Sequence, residues 1–250
     1  MAVFQAALLN ELEKLYKKKK VLVAILLSLA VIVIGQLVIV GVRSGFGLRG
    51  TGSVEFPMLV LSVVVNTILP LFTALVAIDS FSGEFTQNSM RITLTRPVSR
   101  FKIYTAKITA IVLFILGALL LLLVFSLLAG FIFNTNSATL DSLSRTVFSY
   151  FVSLLPLTVL ALAIALLANI FKSGIAVFFV SILTFLALKV LGVLFSQYSS
   201  LFLTTQLDWY NLFLVNSFPM LKILRQFLIM LGSGIMLFTA GFYIFDKKEF

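Results

Sequence analysis

Residues 79–107 read DSFSGEFTQNSMRITLTRPVSRFKIYTAK. They separate two runs that carry no charge, 57–78 (PMLVLSVVVNTILPLFTALVAI) and 108–133 (ITAIVLFILGALLLLLVFSLLAGFIF). Each run is longer than the ~20 apolar residues that a helix needs to cross a hydrocarbon core. Both are uniformly apolar, whereas the strands of a membrane barrel alternate over ~10 residues. The fold class that follows is all-α, a polytopic helical membrane protein. A polar stretch tied at both ends to membrane spans sits at one surface and meets something there.

Composition points the same way. The 250 residues are 61% apolar and 11% charged, and the mean hydropathy is +1.16. Soluble domains are about half apolar and about a quarter charged. A net charge of +10 would raise the question of nucleic acid in a soluble chain. Here the basic residues cluster in loops between apolar runs, as the positive-inside rule requires, and no nucleic-acid partner is expected. The chain has no Cys and no His. Disulfides, Ser–His and Cys–His hydrolysis and most zinc chemistry are thereby excluded, and the chain does not read as an enzyme.

Taken in order, residues 1–20 form an amphipathic interfacial helix, with Phe4, Leu8, Leu12 and Leu15 at helical spacing and Lys17–Lys20 at its end. Six spans follow, at about 21–42, 57–78, 108–133, 147–171, 175–195 and 223–245, in a single membrane domain. Pro70 is expected to kink the second span. Residues 134–145 read as a compact polar loop. Residues 197–221, QYSSLFLTTQLDWYNLFLVNSFPML, are too polar to span and too apolar to float free in water.

Six spans put both termini on one side, and the loop charges choose which. Lys14, Lys17–Lys20, the five basic residues of 79–107, Lys172, Lys247 and Lys248 make thirteen on that side. Arg43, Arg49, Arg145, Lys222 and Arg225 make five on the other, and Lys189 falls within the fifth span. The asymmetry predicts cytoplasmic termini and a cytoplasmic 79–107 stretch.

Within that stretch Phe81, Phe85, Ser89 and Ile92 share one helical face, with Asn88 and Arg91 beside it and Glu84 nearer the amino end. Pro97 disfavours helix at Arg96, and Ser99 is placed to cap the helix that continues through Arg100 and Lys107. A short cytoplasmic helix, a proline corner and a membrane helix make an element with little slack.

The order Gly83-Glu84, then Pro97-Val98-Ser99-Arg100, then Lys107 resembles the permease subunits of bacterial type-2 ABC exporters. The motif covers about a tenth of the chain, and Asn88-Ser89 departs from the Gly-Thr often found there. The resemblance implies that 79–107 holds a coupling helix between spans two and three, seated on a separate ABC ATP-binding subunit. Phe81, Glu84, Phe85, Asn88, Arg91, Arg96, Pro97 and Arg100 would be the contact residues. It also implies external re-entrant helices at 197–221, a dimer with a second permease copy or a paralogue, and residence in the bacterial cytoplasmic membrane.

No segment fits G-x-x-x-x-G-K-[ST], so this chain is expected to hold no cofactor of its own, with ATP and Mg on the partner subunit. Within the spans the notable polar residues are Gln36, Asn66, Asn169 and Lys189. Asn66 and Lys189 are the candidates for a transport path. The alternative is an ion-coupled transporter or channel acting without an ATPase. The lack of acids inside the spans, apart from Asp79 at an edge, weakens it. An intramembrane enzyme would have to work from Asp79, Glu84 or hydroxyls alone. The substrate is not written in the residues.

Overall fold

The computed structural model describes residues 2–46, 51–83, 99–135, 138–171, 173–214 and 219–248. Among them the regular elements are helices, with one isolated bridge between Gly52 and Thr135. The helices are α1 (Ala2–Tyr16), α2 (Lys19–Phe46), α3 (Glu55–Asn66), α4 (Ile68–Ser80), α5 (Arg100–Phe133), α6 (Leu140–Val152), α7 (Leu154–Ile170) and α8 (Gly174–Leu194). Two 3-10 turns, Ser196–Leu201 and Leu207–Phe213, flank the short α9 (Leu203–Gln206), and α10 is Met220–Lys247. Five stretches are long and apolar enough to cross a membrane, with Leu140–Ile170 counted as one, and the bent α3–α4 pair adds a sixth.

Several boundaries differ from the sequence expectation, for local reasons. Helix α5 begins at Arg100, directly after Ser99, and runs without a break into the span expected from Ile108, because nothing between them breaks a helix and the basic side chains need only reach the interface. Ser99 stands at its N-cap with extended backbone, and its carbonyl accepts from Ile103 at 3.2 Å. Its hydroxyl makes no capping bond. Residues 134–145 are not all loop: Thr139 and Ser142 form a reciprocal capping box and helix starts at Leu140. The last span begins at Met220, directly after Pro219.

Both internal prolines break their spans by the same rule. Pro70 has no N–H to give the carbonyl of Asn66, four residues back, and α3 ends at Asn66. The chain turns by 42° there before α4 resumes. Thr67 Oγ1 and Asn66 Nδ2 turn back onto the carbonyls of Val63 and Ser62, at 2.6 and 3.1 Å. Pro156 likewise lies four residues after Val152, where α6 ends.

Helices α5 and α7 occupy the centre. On α5 the buried side chains Tyr104, Lys107, Ile111, Ile115, Leu119, Leu122 and Ser126 recur at helical spacing along one face. Around them α2, α8 and α10 turn apolar residues outward, among them Ile175, Phe179, Leu183, Leu186, Val190 and Leu194 on α8. An apolar stripe that long is untenable in water and suited to hydrocarbon. A buried polar bridge ties three helices together: Tyr150 Oη donates to the Pro57 carbonyl at 2.8 Å and lies 3.0 Å from Ser126 Oγ. Tyr150→Phe removes both contacts. At the ~0.6–1.7 kcal/mol measured for such bonds between membrane helices, the expected loss is about 1–2 kcal/mol. Unfolding in detergent checks this, and an unchanged midpoint would refute it.

Contacts place the two termini at one end of the bundle. Lys20 and Lys18 reach Asp79 at 2.9 and 3.5 Å, and Lys248 Nζ donates to the Asn169 carbonyl at 2.7 Å. At the other end the side-chain amides of Gln36 and Asn134 bond each other at 3.0 and 3.3 Å.

Candidate functional site

Two places concentrate the polar chemistry. The first is the junction at the terminal end, where the 79–107 stretch enters and leaves the bundle. Lys107 is fully buried on α5, and its ammonium lies 3.0 Å from the Glu11 carboxylate of α1. Lys14 reaches the other oxygen of Glu11 at 2.9 Å. Leu15 is buried alongside, and Leu8 and Leu12 pack on the same core. Glu11 therefore fastens the amino-terminal helix to the base of a span. A sequence carrying an acid on the apolar side of a helix, with a lysine leading a span, holds the only advance signal of this pair.

An aromatic cluster closes the junction. The Tyr104 ring lies 5.2–5.9 Å between centroids from Phe81, Phe238, Phe242 and Phe245. This joins the segment after α4 to the start of α5 and the end of α10. The approach of α10 is close: a side chain at Gly241 would collide with the Tyr104 hydroxyl. Ser82 Oγ donates to the Ala168 carbonyl at 3.0 Å, adding α7. Arg100 donates to the carbonyls of Asp246 and Lys248, binding the carboxyl end to the same corner.

The expected contact residues are thus distributed as follows. Phe81 is fully buried in the aromatic cluster, so its side chain is in the interior and not on the surface of this chain. Arg100 is half-buried and engaged with the carboxyl end. Glu84, Phe85, Asn88, Arg91, Arg96 and Pro97 lie outside the described residues.

The second place is at the opposite end. Asn66 and Lys189, singled out separately in the sequence, are brought together: Lys189 Nζ donates to Asn66 Oδ1 at 2.8 Å. The amide of Asn66 in turn donates to Asp208 Oδ1 at 2.8 Å, and the Lys189 ammonium sits 5.7 Å from the Phe185 ring centroid. Asp208 escaped the sequence reading. The signal available was that it is the one acid between Asp141 and Asp246, in a chain whose fifth span carries a lone cation. The bend at Pro70 positions Asn66, since α3 ends there.

Beside this triad lies a cavity of about 210 Å³ between α4, α7, α8 and α9, walled by residues such as Pro70, Ala74, Ile164, Leu167, Phe185 and Leu203. Its few polar side chains are Asn66, Thr67, Ser181, Thr184 and Thr204.

No curated protein matches the chain. A family comparison, by contrast, matches residues 7–187, well over half of the sequence, to the ABC-2 family transporter protein. The match runs from α1 through most of α8 and takes in Glu11, Phe81, Tyr104 and Lys107 of the junction and Asn66, while α10, Lys189 and Asp208 lie beyond it. A multi-pass helical bundle with a built junction beside its polar stretch, matched over that length, belongs to the ABC-2 transporter family as a membrane transport subunit.

Proposed function

We propose that this chain is the membrane-spanning permease of an ATP-driven exporter in the bacterial cytoplasmic membrane. It works as a dimer, with itself or a paralogue, on two ATP-binding subunits that hold the ATP and Mg. Both termini and residues 79–107 face the cytoplasm, the bent α3–α4 pair counts as one of six spans, and residues 196–214 form the external segment. Thirteen loop cations against five support this orientation.

The observation that carries the reading is the junction. Both ends of the 79–107 stretch are anchored in packed structure, Phe81 among aromatic rings and Lys107 against Glu11. A push on residues between them passes into α4, α5 and α1 with little slack. Glu84, Phe85, Asn88, Arg91, Arg96, Pro97 and Arg100 form the surface that grips the ATPase, and Phe81 supports it from within. Packed elements of this kind switch between discrete arrangements, as mechanical coupling requires.

The test uses the permease co-expressed with a candidate ABC ATP-binding subunit from the same genome. Glu84→Lys and Pro97→Ala are expected to leave insertion and expression intact while abolishing the stimulation of ATPase activity by the permease. Wild-type stimulation in both variants would sink the coupling role. Failure of the purified chain to retain any ATPase, with transport running on a gradient alone, would sink the exporter reading.

A further inference from the structure

The cavity beside the Asn66–Lys189–Asp208 triad has the make-up of an amphiphile site. Its walls are almost wholly apolar, and its volume of about 210 Å³ exceeds the ~150 Å³ at which an apolar cavity stays dry and takes up benzene. On α8 it extends from Ser181 to Leu188, a depth of about 10 Å at 1.5 Å per residue. Two wall residues, Leu71 and Leu186, are also exposed on the outer surface of the bundle, so the cavity communicates with the side that faces hydrocarbon. Buried in its walls, the hydroxyls of Ser181 and Thr204 have no hydrogen-bond partner among the described residues.

The polar end supplies the other half of the pattern. An ammonium has three donors, and Lys189 spends one on Asn66. Asp208 is exposed and receives the Asn66 amide on one oxygen. One cation and one anion therefore flank Asn66, the member of the triad that lines the cavity, and are bridged by its amide. A purely anionic head would meet the Asp208 carboxylate, and an uncharged one would leave both charges unused. A head carrying a phosphate and an amine matches both.

We propose that this cavity binds the headgroup-proximal part of one hydrocarbon chain of a zwitterionic phospholipid, with the phosphate at Lys189 and the amine at Asp208. The site lies within a single copy of the chain and needs no ATPase, so this proposal and the exporter reading fail independently.

Full-length protein in lipid nanodiscs is given trace phosphatidylethanolamine with a photoactivatable acyl chain, and labelled peptides are mapped. Label is expected to concentrate in 160–167 and 181–188. Ala163→Phe, which fills the cavity, should cut it about tenfold, the equivalent of roughly two methylenes left outside. Gly232→Phe, on an open face of α10, should leave labelling unchanged. Label spread evenly over the outward faces of α2, α8 and α10, or insensitivity to Ala163→Phe, overturns the cavity site. If Ala163→Phe does not fold, the peptide map of the unmodified chain decides alone. For the head, phosphatidylglycerol and diacylglycerol with the same chain should label the cavity more weakly, and Lys189→Met or Asp208→Asn should erase the difference. Equal cavity labelling by all three lipids in the wild-type chain overturns the headgroup assignment.

Discussion

Lys107→Met is expected to destabilise the folded chain by about 3 kcal/mol, the low end of the range for breaking a buried ion pair. The physical reason is the burial of both partners. Lys107 has no exposed surface and Glu11 almost none, so neither charge can fall back on water when the other is removed. The cost stays at the low end because Lys14, half-exposed, still reaches Glu11 at 2.9 Å. The double variant Glu11→Leu/Lys107→Met replaces the pair by apolar groups of similar volume, and should recover most or all of the loss. Chemical unfolding in detergent, followed by the fluorescence of Trp209, measures both. A single variant as stable as the wild type would show that α1 is not fastened through this pair. A double variant as unstable as the single one would show that packing, and not charge, dominates the contact. The same variants should loosen α1 from the bundle, read as faster proteolysis at residues 17–20.

Gly130→Ala should cost more than its single methyl suggests. A Cβ at Gly130 would stand 2.3 Å from the Ser53 carbonyl oxygen and 3.2 Å from its carbon. The obstacle is backbone, and it is held: Ser53 N donates to the Thr135 carbonyl at 3.0 Å, and Gly52 N donates to Glu55 at 3.0 Å. Relief requires α5 to move off the start of α3, drawing Ser126 away from the Tyr150 hydroxyl that grips the Pro57 carbonyl. The expected loss is at the upper end of the 1–3 kcal/mol typical of overpacking, about 3 kcal/mol. Gly117→Ala on the same helix is the control. Nothing lies within 4 Å of a Cβ there, and removing a mid-helix glycine should stabilise by about 0.5–1 kcal/mol. Opposite signs for two Gly→Ala changes thirteen residues apart on one helix would be the outcome. Equal effects would contradict the close approach.

How much of this could be read in advance depended on how local the cause was. Pro70 implied a disturbed second span, but the break falls at Thr67, because the missing N–H acts on the carbonyl four residues back. The apolar spacing of Phe4, Leu8, Leu12 and Leu15 implied a helix before the first span, and a helix runs from Ala2 to Tyr16. The same reasoning put Phe81 on one face with Phe85, and the family resemblance made it a contact residue, whereas its ring is enclosed by Tyr104 and Phe245. Helical spacing tells which residues share a face and is silent on what that face meets.

By itself, the sequence determined that the chain lives in a membrane as a helical bundle. Hydrocarbon forces every spanning backbone group to be satisfied within its own helix, and a run of apolar residues long enough to cross is a local property. It also determined that the polar stretch belongs with the termini, since an even number of apolar runs lies on either side of it. The partners of the buried polar groups were decided only in three dimensions. Glu11 meets Lys107, Gln36 meets Asn134, and Lys189 meets Asn66 and through it Asp208, across separations of 96 to 142 residues. The spans on which most of these residues sit are apolar on the face toward lipid and on the face toward protein alike. They therefore carry no periodicity that says which side turns inward, and only the packing of helix on helix brings one polar group to another.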